Sequence, residues 1–168
     1  MPWNSCVASA AMALPVEADF RSAMRRLASG VAIVAAQGVD GPVGMAATSI
    51  TSLTIEPPAL LLCVNQAAGI HPSLAPGRAI SVNILSRHQR EVSAAFGGAV
   101  AREKRFGLGR WSTDHNGLPM LDEAQANLAC RIDSMMAFGT HSIVIARVEA
   151  VRLCDGVDPL IYQDGGYL

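Results

Sequence analysis

Five hydroxyl side chains crowd one short stretch of this chain. Thr48, Ser49, Thr51, Ser52 and Thr54 lie between the small residues of Gly44-Met45-Ala46-Ala47 and the pair Pro57-Pro58. Hydroxyls and exposed backbone N–H groups together can hold an anion without a central lysine. The same pattern also suits an irregular strand running into a Ser/Thr-rich turn, and composition leaves both readings open. Other chemistry-bearing groups are scattered. His71, His88, His115 and His141 stand alone, none with a second ligand at metal spacing, so no metal centre is expected. Neither G-x-S-x-G, nor a phosphate-binding P-loop, nor H-E-x-x-H occurs. The most basic run, Ala101 to Phe106 with Arg102, Lys104 and Arg105, serves as a solvated face or, beside a hydroxyl-rich loop, neutralises a phosphate. With so little acid–base or nucleophilic equipment, chemistry carried by a bound cofactor fits best.

The bulk of the chain limits what can position these groups. Its 168 residues suffice for one buried core. They are 51% hydrophobic and 16% charged, with mean hydropathy +0.30, yet no apolar run reaches the length of a membrane span. Apolar surface hidden in a subunit interface or around a ligand is the natural explanation, so a homo-oligomer is expected. A net charge of −1 gives no reason to expect nucleic acid or an acidic membrane as partner. Cys6, Cys63, Cys130 and Cys154 form no C-x-x-C pair, which suits a reducing cytoplasm. Cys63 and Cys130 read as buried small hydrophobes. Residues 1–15 contain no Lys or Arg and are expected to form a flexible leader ahead of a domain over 16–168.

Periodicity predicts an amphipathic helix from Val16 to Ser29, with Phe20, Met24 and Leu27 covering one end of a sheet. Strands are predicted over Val31–Ala36 and from Val43 onward, joined by the turn cluster Gly38 to Pro42. Ala59 to Val64 reads as a strand buried on both faces. Ala79 to Leu85 is another strand, Arg87 to Phe96 a helix, and Gly107 to Pro119 a loop. Ala126 to Met136 and His141 to Leu153 pair around Gly139-Thr140, and Leu160 to Tyr162 is a short final strand. The expectation is a mainly β fold: an antiparallel barrel with helical additions. Regular βαβ alternation and G-x-G-x-x-G are missing, which argues against a Rossmann fold.

In order and spacing, several of these segments together resemble the short-chain flavin reductases of the FMN-binding split β-barrel class. That class includes the reductase components of two-component flavin monooxygenases, such as 4-hydroxyphenylacetate 3-monooxygenase. The matching residues are Phe20-Arg21, Ala28-Ser29-Gly30-Val31, Gly44 to Ser49, Thr51-Ser52-Leu53 and Pro57-Pro58. They continue with Ser81 to Leu85, Lys104-Arg105-Phe106, Trp111, Gly117-Leu118-Pro119, Cys130, Gly139-Thr140-His141, Pro159 to Tyr162 and Gly166-Tyr167, and Met24 in the first helix matches too.

The resemblance implies an NAD(P)H-dependent enzyme that passes a hydride from NADH or NADPH to FMN or FAD. It also implies a homodimer and a partner flavin-dependent monooxygenase that receives the reduced flavin. Reduction of another acceptor, a corrinoid or ferric complex, and a non-catalytic flavin-binding domain are the alternatives. By the same resemblance Met45, Ala46, Ala47, Thr48 and Ser49 lie along the flavin ring, joined by Cys63, Val64 and Asn65, with core packing the alternative for Cys63 and Val64. Ser52, Ser81 or Asn83, and Lys104, Arg105 and Phe106 hold the ribityl chain and phosphate. His141 is the catalytic candidate at the nicotinamide side, and Tyr162 and Tyr167 shape its pocket or simply pack. In the family this histidine follows Gly-Asp. Here Thr140 replaces the acid and offers only a neutral hydrogen bond.

Overall fold

Alternating apolar residues put β-strands to work on two faces, and the chain uses both. The computed structural model describes residues 16–168; the expected leader and Cys6 lie outside them. In chain order the elements are α1 (Val16–Met24), β1 (Ser29–Gly30), β2 (Ala32–Gly38), β3 (Gly41–Ala47), β4 (Ile50–Ile55), β5 (Pro58–Asn65) and β6 (Ala79–Ile84). Then come α2 (Arg90–Ala94), β7 (Trp111–Thr113), β8 (Pro119–Leu121), β9 (Ala126–Phe138), β10 (His141–Leu153), β11 (Ile161–Gln163) and β12 (Gly166–Tyr167). Short 3-10 turns occupy His71–Ser73 and Arg102–Gly107, and a π-turn extends α2 over Ala95–Ala99.

The main sheet is antiparallel and runs β3-β2-β6-β9-β10-β5-β4. β3 and β4 are its two edges, yet they are consecutive in the chain and separated only by Thr48 and Ser49. Laid flat, the seven strands would hold these edges about 29 Å apart at 4.8 Å per spacing. The Cα steps from Ala47 to Ile50 span at most about 11 Å. The sheet therefore has to curl until its edges approach. No ladder joins β3 to β4, so the result is a β-barrel left split at Thr48-Ser49.

Inside the curl lies one apolar cluster, with Val34, Leu62, Val64, Ile80, Val82 and Val144 among its buried members. Cys130 belongs to it, and burial, with a smaller contribution from Glu149, pushes its thiol pKa up to about 12. A second cluster lies outside β2, where Val31 and Ile33 meet Leu85, Val92, Phe96, Leu121 and Leu160. β2 is thus buried from both sides, its even-numbered residues facing the barrel and Ile33 facing α2.

Several expectations need correction. The first helix ends at Met24 rather than Ser29, and none of its residues is buried; Phe20 is 64% exposed. It is fastened by polar contacts to the β11–β12 turn instead of covering the sheet with its apolar face. β5 is buried on one face only, since Leu61 and Cys63 are half-exposed on the other. The hydroxyl stretch contains a full edge strand, β4, whose pairing with β5 shifts register between Ser52 and Thr54. The supposed loop from Gly107 to Pro119 contains β7 and leads into β8; Trp111 packs with Phe96 and Phe106 at ring separations of 4.8–5.4 Å.

Ser81 and Asn83 are wholly buried and bonded inward. Asn83 Nδ2 donates to Ile33 O (3.1 Å) and Ser81 Oγ (3.0 Å), while Ser81 Oγ donates to Pro119 O. Asn83 Oδ1 accepts from Leu121 N (2.9 Å) and Asn127 Nδ2 (2.7 Å). One side chain thereby ties β2, β6, β8 and β9 together, and removing it strands several buried polar groups. Asn83→Ala is expected to lower unfolding free energy by about 3 kcal/mol, measured by urea denaturation.

Candidate functional site

At the split, local alternation decides what each residue can offer. Met45 and Ala47 turn toward the barrel core and Ala46 toward the second cluster, so none of their side chains stands free at the surface. Thr48 and Ser49 are exposed. Ser49 is held to β5: Cys63 N donates to Ser49 O (3.2 Å) and Ser49 Oγ donates to Cys63 O (2.9 Å). The Thr48 hydroxyl makes no hydrogen bond among the described residues.

Two clefts meet at Thr48 and Tyr162. The smaller, about 320 Å³, is walled by Ala46, Ala94, Gly97 and Tyr167. The larger, about 620 Å³, lies under α1 and is lined by Phe20, Arg21, Met24 and Ser49. Both are open to solvent. The aromatic wall between them is fixed by neighbours. Tyr162 and Tyr167 stack edge to face at 5.3 Å, Tyr167 Oη lies 2.9 Å from Ser93 Oγ, and the Arg90 guanidinium sits 5.3 Å from the Tyr167 ring centroid. Phe96 lies so close to β3 that a Cβ on Gly44 would meet its ring at 2.8 Å, which explains the small residue there.

The far end of β5 gathers the second group of expected residues. Val64 is buried in the core, Cys63 half-exposed, and Asn65 exposed opposite His141 in the β5–β10 ladder. Gln66 fastens this corner: its N donates to Thr140 O (2.9 Å) and its Nε2 to His141 O (3.1 Å). His141 Nδ1 lies 2.9 Å from Thr140 Oγ1, so threonine occupies the orienting position that an acid would fill. The ring is exposed and lines neither cleft. Ladder geometry places its backbone about 8 Å from that of Cys63, at the same end of the sheet as Ser49.

The phosphate-side candidates separate. Ser81 and Asn83 are removed from that set by their inward bonding. Phe106 packs against Phe96 and Trp111, and Arg105 is half-buried with its Nε donating to Val100 O (3.0 Å). Lys104 and Ser52 are exposed, and neither lines the two clefts at the split. By sequence Arg102 belongs to a run that reads as either a solvated face or a phosphate partner, and Gly69 carries no expectation. In the fold the Arg102 guanidinium lies on the Gly69 backbone, so close that a Cβ there would sit 2.0 Å from Nη2. Arg102 makes no ion pair or hydrogen bond among the described residues. It therefore presents an unneutralised charge over the turn that follows Asn65.

The donor set fits a flavin. Small residues and an aromatic edge suit a planar ring, Thr48 supplies a free hydroxyl, and Arg102 suits a phosphate. No group of three or more His, Cys, Asp or Glu close enough for a metal ion occurs among the described residues.

Known proteins resemble this chain over nearly its whole length. Residues 24–168 match the model of the flavin reductase like domain, and the chain belongs to that family. It is an enzyme of the NAD(P)H-dependent flavin reductase class. Its relatives include the FMN reductase (NADH) RutF of Stutzerimonas stutzeri, 39% identical over 99% of this chain and 97% of that protein. The NADH:FAD oxidoreductase SgcE6 of Streptomyces globisporus, solved with NAD and FAD fragments, superposes with a TM-score of 0.84. It is 25% identical, over 94% of this chain and 96% of its own. BorF, the flavin reductase component of a bacterial two-component tryptophan halogenase, has a TM-score of 0.81 and 28% identity over 90% of this chain and 96% of its own.

The loop from Asn65 to Ser73 is pinned to β10 by His71 Nε2, 2.9 Å from the Ser142 hydroxyl. Ser142→Ala is expected to cost about 1 kcal/mol of stability. Amide hydrogen exchange should speed up in the 66–73 loop and stay unchanged in β6 and β9.

Proposed function

We propose that this chain is an NADH-dependent FMN reductase that releases reduced flavin to a separate flavin-using oxygenase. The observation that carries the reading is the split between β3 and β4, where a free hydroxyl, small residues and two tyrosines converge on an open cleft. The names of the RutF relatives support FMN and NADH, and the two-component halogenase reductase supports delivery to a partner. A flavin bound here supplies the hydride-accepting ring. The chain's own residues position it.

The backbone of Met45, Ala46 and Ala47 with the hydroxyls of Thr48 and Ser49 borders the ring, and Cys63 and Asn65 extend that border along β5. Arg102 and the turn at Gly69 hold the phosphate. Tyr162 and Tyr167 close one side of the cleft. His141, oriented by Thr140, contacts the nicotinamide. Alignment of the two rings supplies most of the acceleration through proximity. An open, largely apolar cleft binds flavin only moderately, which suits a reactant that must leave at every turnover.

The assay is NADH oxidation with and without added FMN. The reading requires oxidation that depends on FMN and a purified protein that is nearly colourless. Yellow protein reducing another acceptor without free FMN would favour a retained flavin, and no oxidation under any flavin condition would sink the reductase reading. Arg102→Ala is expected to raise the KM for FMN about tenfold, the worth of one charge-assisted hydrogen bond. His141→Ala should raise the KM for NADH more than that for FMN.

A homodimer is part of the proposal. Ile55 is 80% exposed on β4 and Phe138 77% exposed on β9, while Leu53, Met136 and Leu153 add further apolar surface. Apolar side chains this exposed are the kind of surface that a subunit interface covers. Sedimentation equilibrium should give twice the chain mass, and Ile55→Asp should shift it toward the monomer. No helix among the described residues is long and apolar enough to cross a membrane. Among the described residues Cys63, Cys130 and Cys154 form no disulfide; a cytoplasmic location is part of the proposal.

A further inference from the structure

We propose that α1 binds the adenosine-bearing half of the hydride donor, Arg21 pairing with its pyrophosphate and Glu17 with the hydroxyls of its adenosine ribose. The proposal rests on the NADH-dependent reading above and extends it to a face of the protein with no role so far.

The placement of α1 makes little sense as packing. Phe20, Met24 and Leu27 are 64%, 48% and 60% exposed. Polar bonds at its C-terminal end hold the helix instead. Arg25 Nε meets Asp164 Oδ1 at 2.9 Å, Arg25 Nη2 donates to Asp164 O at 2.7 Å, and Asp164 N donates back to Arg25 O at 2.9 Å. Gln163 Nε2 adds a bond to Arg26 O, also 2.9 Å. Gln163 follows Tyr162 directly, so the clasp ties α1 to the aromatic wall of the flavin cleft. It leaves the apolar side of the helix standing over the 620 Å³ cleft, a size usual for small-molecule sites.

Charge then decides what the cleft accepts. Arg25 is neutralised by Asp164, whereas Arg21 makes no ion pair or hydrogen bond through its side chain among the described residues. It lines the cleft together with Glu17, one turn earlier on the same face of α1. Thr48, Ser49 and Tyr162 form the floor of this cleft, and Thr48 and Tyr162 also border the flavin cleft. A donor whose nicotinamide lies on the flavin can extend its remaining half away from the ring, into the cleft that shares Thr48 and Tyr162. A third cleft also reaches Thr48, lined by residues of β1, β2 and neighbouring segments, but no charged side chain lines it. Of the three clefts that reach Thr48, the α1 cleft is the one lined by charged side chains, Arg21 among them. The Glu17 carboxylate can accept from both ribose hydroxyls and repels a 2′-phosphate, so the same face favours NADH over NADPH.

The tests separate binding from turnover. Calorimetric titration with ADP-ribose, which carries the pyrophosphate and no nicotinamide, should show at least tenfold weaker binding to Arg21→Gln than to the parent protein. In steady state the same variant should raise the KM for NADH at least tenfold, with kcat and the KM for FMN changed less than twofold. Glu17→Gln should lower the KM for NADPH about tenfold and leave that for NADH within threefold. Unchanged ADP-ribose affinity and NADH KM in Arg21→Gln would overturn the proposal. So would a variant whose only defect is a lower sedimentation mass, because α1 would then be a contact between copies. If the parent oxidises no NADH with any flavin, the reductase reading fails by that result, while ADP-ribose calorimetry still decides the α1 site.

Discussion

Two residues carry the chain from one edge of a seven-stranded sheet to the other, and the sheet has to curl to let them do so. Everything at the site follows from that closure. The Ser49–Cys63 pair continues the β4–β5 ladder up to the gap, and the closure sets the end of β3 beside it. Closure also leaves Thr48 exposed in the gap between the two edge strands. A fully closed barrel would have spent those groups on a ladder, and a flat sheet would have scattered them.

Around the gap, rigidity and openness are divided between different parts of the molecule. The Asn83 network locks the strands behind the site, and the apolar cluster outside β2 fixes α2 and its π-turn against them. The groups that face outward at the gap are held by polar clasps: Tyr167 by Ser93, the 66–73 loop by Ser142, and α1 by Asp164. Such clasps fix geometry with little apolar burial. That arrangement suits an enzyme whose two reactants must both enter and leave.

Much of the architecture was legible in the sequence wherever a single strong pattern governed. The β9–β10 pair around Gly139-Thr140 and the β2–β3 hairpin follow from alternation and turn chemistry, and both formed nearly as expected. β4 was obscured because hydroxyls occupy both its faces, so period two carries no contrast there. β7 and β8, at three residues each, are too short for periodicity to register. Side-chain roles were harder. The resemblance offered Ser81 and Asn83 as ligands, but a matching residue does not tell a polar group aimed at solvent from one aimed at its own interior. Arg102 and Gly69 were invisible as a pair because only the fold brings them together. The helix over Val16 to Met24 has an amphipathic pattern that says it needs an apolar partner, without saying that the partner need not be the core.

The gap at Thr48-Ser49 also has an evolutionary side. Its length is constrained far more tightly than its composition. An added residue would slacken the only tether between the two barrel edges, or turn β4 over so that its inward and outward faces exchange. A lost residue would leave too little chain to cross between the edges. Substitution, by contrast, changes only what the gap displays. The segment therefore tolerates neither insertion nor deletion, a stretch that measures distance first and carries chemistry second.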